Sequence, residues 1–123
     1  MKGRGNITLG RRGEELAAEY LQQRGHVILE RNWRTSHLEI DLVTRAPDGL
    51  HFVEVKSVLA PSISAPEEHL TRTKRDRITA AALRYLHSCG GNDEIFFDAV
   101  TVTFRGGFAK ISYYPSAWIP MYV

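Results

Sequence analysis

The stretch His51-Phe52-Val53-Glu54-Val55-Lys56-Ser57 is the part of this chain that says most about its fold. Side chains alternate between the two faces of a β-strand, so Glu54 and Lys56 share one face and the valines share the other. Upstream, Ile40-Asp41-Leu42-Val43 predicts a second apolar strand that carries one acid. If the two strands pair, Asp41 and Glu54 can share a divalent cation and Lys56 reaches the same spot. Two carboxylates and a lysine in one place are suited to metal-assisted cleavage of a phosphodiester.

Size and composition indicate one soluble globular domain. The chain has 123 residues, of which 43% are hydrophobic and 24% are charged. Its apolar runs are too short to span a bilayer, and the basic N-terminal stretch lacks the apolar core of a secretory signal. The only cysteine, Cys89, excludes an intrachain disulfide and fits a reducing compartment. We therefore expect a cytoplasmic protein without a membrane partner.

The hydrophobic pattern predicts an α/β domain in the order helix, three strands, helix, two strands. The predicted helices cover residues 10–24 and 71–88, and the predicted strands cover residues 26–31, 38–44, 50–56, 94–104 and 108–114. Pro47-Asp48-Gly49 is turn chemistry and predicts a hairpin between the second and third strands. Residues 1–9 are expected to form a flexible basic arm, and residues 10–123 a single domain. Residues 57–70 are the one long predicted loop.

Several motifs, in this order, resemble the YraN-like family of bacterial proteins. The motifs are Gly10-Arg11-Arg12-Gly13-Glu14, Arg31-Asn32-Trp33-Arg34, Glu39-Ile40-Asp41-Leu42-Val43, Phe52-Val53-Glu54-Val55-Lys56 and Phe97-Asp98. The resemblance runs from about Gly10 to Val102. That family is similar to the restriction-endonuclease-like superfamily, in which archaeal Holliday-junction resolvases are the best understood relatives. The resemblance implies a restriction-endonuclease-like core, with a mixed sheet flanked by helices in the order αβββαββ.

The resemblance also implies which residues form a site. Asp41 matches the first acid of the superfamily signature, Glu54 the second acid and Lys56 the lysine. Glu14 matches a helix acid that assists the metal site. Asp41 and Glu54 would then hold Mg²⁺ or Mn²⁺, hard ions that take oxygen ligands. Glu39 shares a face with Asp41 and is open to two roles, an alternative ligand or a supporting group.

Basic residues form a candidate phosphate-binding set, although a basic helix face is a solvated surface in most proteins. The set contains Arg72, Lys74, Arg75, Arg77, Arg11, Arg12 and Arg34. Asp98 is expected to be a structural carboxylate paired with an arginine. The five histidines show no metal-ligand spacing.

The predicted function is divalent-metal-dependent endonuclease activity on DNA, including branched DNA. Junction cleavage needs two symmetric cuts and would imply a homodimer. One alternative is a non-catalytic nucleic-acid-binding module with the same fold. Another is a protein that docks a partner through the aromatic tail 113–122. The sequence leaves open which nucleic-acid structure is the substrate, and whether RNA is accepted.

Overall fold

The described residues form seven elements in the predicted order. The computed structural model describes residues 2–60, 70–89 and 91–118, with side chains from residue 9 onward. The helices are α1 (Lys2–Gln23) and α2 (Arg72–Cys89). The strands are β1 (Val27–Thr35), β2 (Leu38–Ala46), β3 (Gly49–Leu59), β4 (Ile95–Arg105) and β5 (Phe108–Trp118). Most of the predicted loop 57–70 and the end of the aromatic tail lie outside the described residues.

The five strands form one mixed sheet in the order β1-β2-β3-β4-β5. Only β3 and β4 are parallel, and the other neighbours are antiparallel. Parallel neighbours need a long crossover connection, and the segment that contains α2 supplies it. The predicted hairpin is confirmed, because Ala46 pairs with Gly49 around a turn at Pro47 and Asp48. The prediction of a mixed α/β fold is therefore confirmed.

Within the described residues, one helix packs on each face of the sheet. On one face, Ile78 and Tyr85 of α2 pack in a core with Phe52 and Phe97 of the sheet. On the other face, α1 packs its small and apolar residues against the sheet. The buried residues of this second core are Ala17, Ala18, Leu21, Leu42, Val53, Val100 and Val102. Adjacent strand residues such as Phe52 and Val53 lie in different cores, as the alternation of a strand requires.

Helix α1 begins at Lys2, earlier than the start near Gly10 that the apolar stripe predicts. Once a helix has nucleated, each added residue contributes another backbone hydrogen bond, so a packed helix extends beyond its apolar face. The flexibility of residues 1–9 stays a prediction. Farther along, α1 lies very close to the sheet at Gly13. A Cβ atom there would overlap Ser57 Oγ and lie 3.1 Å from Ser57 Cβ.

The expected arginine partner of Asp98 is wrong. Asp98 is fully buried in β4, and its Oδ2 lies 2.6 Å from His51 Nδ1. The Tyr113 hydroxyl donates to the same oxygen at 2.6 Å, and the Ser116 backbone amide donates to Oδ1 at 2.9 Å. A histidine, a phenol and an amide thus satisfy this carboxylate inside the sheet, where an arginine side chain would have to be buried as well.

No helix in the described part of the chain is both long enough and apolar enough to cross a membrane.

Candidate active site

The site begins where β2 stops pairing with β3. The antiparallel ladder between these strands runs from Ala46 and Gly49 to Leu42 and Val53, and it does not continue to Asp41. Instead, Asp41 Oδ2 accepts a hydrogen bond of 2.8 Å from the Val55 backbone N–H. A side-chain carboxylate thus replaces the backbone acceptor that a continuing ladder would provide. This hydrogen bond fixes Asp41 between the diverging strands.

On the other side of β2, Asn32 marks a change of face in β1. Asn32 has a φ of 50°, a left-handed conformation that asparagine adopts more readily than most residues. Trp33 and its pairing partner Ile40 pack with the core of α2, whereas Leu42 packs with the core of α1. Both strands therefore change the face they present near Asn32 and Asp41. Their polar side chains are brought toward the end of the β2–β3 ladder.

Asn32 also connects β1 to helix α1. Its Nδ2 donates a 3.0 Å hydrogen bond to Glu14 Oε1, so Glu14 is held at the site by a residue from the sheet. The contacts of Asn32 were not predicted from the sequence. The available signal was the residue type, because asparagine is favoured at left-handed positions.

The carboxylates of this site repel one another. Burial raises the pKa of Asp41 well above its ordinary value, and the negative charge of Glu54 raises it further. The Val55 hydrogen bond opposes this shift, and the charge of Glu14 adds to it. Two or more carboxylates in one partly buried place favour the uptake of a proton or a cation.

Lys74, one of the residues predicted to contact phosphate, supplies part of the positive charge that these carboxylates favour. Lys74 of α2 forms an ion pair with Glu54, with 2.7 Å between Nζ and Oε1. The Glu54 side chain is 11% exposed and that of Lys74 is 42% exposed. Lys74 therefore supplies positive charge to the carboxylates from the helix on the α2 face.

One cleft collects the four residues predicted for catalysis. It measures about 370 Å³ and is lined by Glu14, Asp41, Glu54 and Lys56, together with Lys74. We call it the carboxylate cleft. An adjoining cleft of about 480 Å³ shares two carboxylates and the lysine of α2 with it. That second cleft adds His37, Glu39 and Arg77 to the shared Asp41, Glu54 and Lys74.

The donor set suits a hard ion that keeps part of its water shell. Among the side chains that the structure describes, no three His, Cys, Asp or Glu residues are grouped closely enough to hold an ion by themselves. Asp41 and Glu54 thus offer two carboxylates, while Glu14 is engaged with Asn32. Mg²⁺ commonly binds through one or two carboxylates, with water and substrate phosphate completing its octahedron. The metal-binding and catalytic roles of these residues stay predictions.

The predicted phosphate-binding residues have different immediate surroundings, and their role in binding stays a prediction. Arg72 faces Asp76 at 3.8 Å, and Arg12 faces Glu15 at 3.9 Å. Arg34 Nε donates to Glu39 Oε2 at 2.8 Å, so Glu39 is engaged by an arginine beside the clefts. Three other members have different surroundings: Arg77 lines the second cleft, Arg75 lines a separate apolar pocket and Arg11 is exposed.

The sequence is similar to known proteins over most of its length. The profile of the uncharacterised protein family UPF0102 matches residues 13–102. A UPF0102 protein of Anaeromyxobacter dehalogenans is 43% identical over 117 residues, which cover 94% of this chain and 87% of that protein. A UPF0102 protein of Syntrophomonas wolfei is 41% identical over 114 residues, covering 92% of this chain and 99% of that protein.

Among solved structures, the chain is similar to Pyrococcus furiosus SfsA in complex with Ca²⁺. The two are 16% identical with a TM-score of 0.36, and the match covers 89% of this chain and 63% of that chain. A likeness of this size carries no argument about fold or function. The family profile and the relatives, in contrast, match over most of the sequence, and the chain therefore belongs to the UPF0102 (YraN) family.

Proposed function

We propose that this protein is a divalent-metal-dependent endonuclease that hydrolyses phosphodiester bonds in DNA, and that its sheet is a restriction-endonuclease-like core. The observation that carries the proposal is the meeting of Asp41 and Glu54 in one cleft with Lys56. Burial and the negative charge of Glu54 raise the pKa of Asp41, so this pair favours the uptake of positive charge.

Each side chain has a distinct task in this proposal. Asp41 and Glu54 would hold Mg²⁺ or Mn²⁺, and the Val55 hydrogen bond keeps Asp41 oriented for that task. A bound ion of this kind lowers the pKa of a coordinated water and stabilises negative charge on the phosphate. Lys56 adds positive charge where the phosphate becomes more negative in the transition state. Glu14 increases the negative charge that attracts the ion.

A second candidate function is metal-free nucleic-acid binding. The ion pair between Lys74 and Glu54 favours it, because an internal ammonium group already neutralises one carboxylate at 2.7 Å. A binding module of this kind would retain the cleft and the surrounding arginines without turnover. The two candidates differ in whether a divalent ion is taken up and in whether DNA is cut.

A cleavage assay separates the two candidates. Wild type is incubated with single-stranded, flapped, branched and duplex DNA, and with RNA, in Mg²⁺ or Mn²⁺. We expect cleavage that is abolished in Asp41→Asn and Glu54→Gln and reduced in Lys56→Ala. Glu14→Gln is compared with Glu15→Gln, which makes the same chemical change one residue away, outside the residues that line the cleft.

Metal uptake is measured on the same proteins by the broadening of the Mn²⁺ electron paramagnetic resonance signal. Wild type and Glu15→Gln should bind Mn²⁺, whereas Asp41→Asn should not. If wild type binds DNA but neither takes up Mn²⁺ nor cuts any substrate, the binding module is the correct function. If a junction is cut in paired fashion, size-exclusion chromatography with light scattering should show a homodimer.

A further inference from the structure

A bulge in the edge strand β5 forms the separate apolar pocket that Arg75 lines, on the α2 face of the sheet. Strands β4 and β5 pair regularly as far as Ala99 and Tyr114, and pairing returns only at Phe97 and Trp118. Residues 115–117 therefore lie opposite the single residue between Phe97 and Ala99. The pocket at this bulge measures about 290 Å³, and we call it the apolar pocket. Its lining includes Leu70, Arg75, Ala99, Tyr114, Pro115 and Ala117.

The bulge is held by a buried carboxylate. Asp98 is the residue opposite the bulge, and its Oδ1 accepts the backbone N–H of Ser116 at 2.9 Å. Ser116 has a φ of 51°, a conformation in which the chain turns away from regular strand geometry. The other oxygen of Asp98 is bound by Tyr113 and His51. These contacts fix the bulge that forms one wall of the pocket.

The walls combine apolar surface with unsatisfied donors. Three buried side-chain atoms lack a hydrogen-bond partner among the described residues, and two of them, Arg75 Nε and Thr101 Oγ1, belong to this region. Arg75 lines the apolar pocket itself. Thr101, only 9% exposed, lines the narrow gap between that pocket and the carboxylate cleft. Arg75 also brings the other N–H donors of its guanidinium group to the wall of the pocket, where a ligand that carries acceptors can bind them.

The apolar pocket and the carboxylate cleft are neighbours on the same sheet. Glu54 pairs with Ala99 across β3 and β4, and Ala99 pairs with Tyr114 across β4 and β5. Neighbouring strands are about 4.8 Å apart, so Tyr114 stands about 10 Å from Glu54 along this row. The gap lined by Glu54, Lys56, Ala99 and Thr101 lies between them.

We infer that the apolar pocket takes an unpaired nucleobase of the strand whose phosphate lies in the carboxylate cleft. A base has two apolar faces for Tyr114 and Pro115, and edge acceptors for the Arg75 donor. A nucleobase has about ten non-hydrogen atoms, and the pocket has the volume of about ten water molecules in the liquid. A stacked and paired base does not enter such a pocket. This inference rests on the proposed function, and it selects DNA with an unpaired nucleotide beside the cut as the substrate.

Binding without cleavage tests the inference. The affinity of the full chain is measured by fluorescence anisotropy, in EDTA, for an oligothymidylate and for an abasic sugar-phosphate strand of the same length. Both probes carry the same phosphates, so a difference between them reports base contacts alone. We expect wild type and Asp41→Asn to prefer the oligothymidylate about tenfold, the size expected for a stacked base.

Two variants place this preference in the apolar pocket. Ala117→Phe fills the pocket from an exposed position, and Arg75→Gln removes the charged donor; both should reduce the preference to near one. The matched controls are Ala109→Phe, an exposed alanine of the same strand, and Arg84→Gln, an exposed arginine of the same helix outside the predicted phosphate-binding set. Both controls should keep the full preference. Melting temperatures establish that each variant is folded.

The result separates the pocket from the chemistry. Equal affinity of wild type for the two probes would overturn the inference, as would a preference that survives in Ala117→Phe, or no binding of either probe. A preference for the base-bearing strand without any cleavage of DNA would support the base pocket and refute the proposed endonuclease activity. Cleavage without a preference for the base-bearing strand would support the endonuclease activity and refute the base pocket.

Discussion

Replacing Lys74 by glutamine should destabilise the fold, because the repulsion between Asp41 and Glu54 is then no longer offset by the ion pair of Lys74 with Glu54. Loss of one partner costs about 3–5 kcal/mol in a fully buried pair, and an exposed pair contributes about 0.2–1 kcal/mol. Glu54 is 11% exposed but Lys74 is 42% exposed, so we expect an intermediate loss of about 2 kcal/mol without divalent cations. In a domain of this size that loss lowers Tm by about 8 °C.

The assay is thermal unfolding of wild type and variant in EDTA and then in Mg²⁺. An ion at one hundred times its Kd adds about 2.7 kcal/mol to the stability of the folded state. In wild type the ion must displace Lys74 from Glu54, so the variant should gain more and the gap in Tm should narrow. Arg72→Gln is the control, because its pair with Asp76 at 3.8 Å is exposed and worth less than about 1 kcal/mol. A loss in Lys74→Gln no larger than in Arg72→Gln would refute the reasoning.

Three further outcomes are expected. In EDTA, Asp41→Asn should be more stable than wild type at neutral pH. Because the pKa of Asp41 is raised in the folded state, wild-type stability falls as pH rises from 3.8 through the folded pKa. Urea titrations across pH should show no such fall in the variant. Gly13→Ala should cost about 1–3 kcal/mol in urea unfolding, with part recovered by adding Ser57→Gly, because its new Cβ meets Ser57. Burial lowers the pKa of His51, but hydrogen bonds to Asp98 and to the aspartate of the hairpin turn outweigh burial and raise this pKa above 6.5. The stabilising effect of His51, measured against His51→Gln, should therefore be full below pH 6.5 and disappear as pH rises through the folded pKa.

The meeting of Asp41 and Glu54 was predictable because short-range rules determine it. A turn at Pro47 and Asp48 sets the register of the hairpin, and this register pairs Leu42 with Val53. Asp41 and Glu54 follow that pair directly, so both lie at the end of the ladder even though the pairing itself stops there. Alternation along β3 in the same way places Lys56 with Glu54.

Features that depend on long-range packing were not predictable. Lys74 reaches Glu54 only because α2 lies across that face of the sheet, and helical periodicity alone assigns Lys74 to an exposed surface. The partners of Asp98 come from β3 and from a bulge in β5 that alternation does not reveal. Pro115 was the available signal for this bulge, because proline in a strand is confined to edges and irregular positions.

The hydrogen bond from Val55 to Asp41 makes one backbone amide a natural probe of the site. An amide proton senses the electron density of its acceptor, so the ¹H–¹⁵N resonance of Val55 should shift when Asp41 gains a proton or an ion. The amide of Val53, in the regular ladder opposite Leu42, provides an internal reference. Hydrogen exchange at the same two amides reports how often β2 and β3 separate at the cleft. Occupancy and local opening can thus be followed in solution without a substrate, a dye or a mutation.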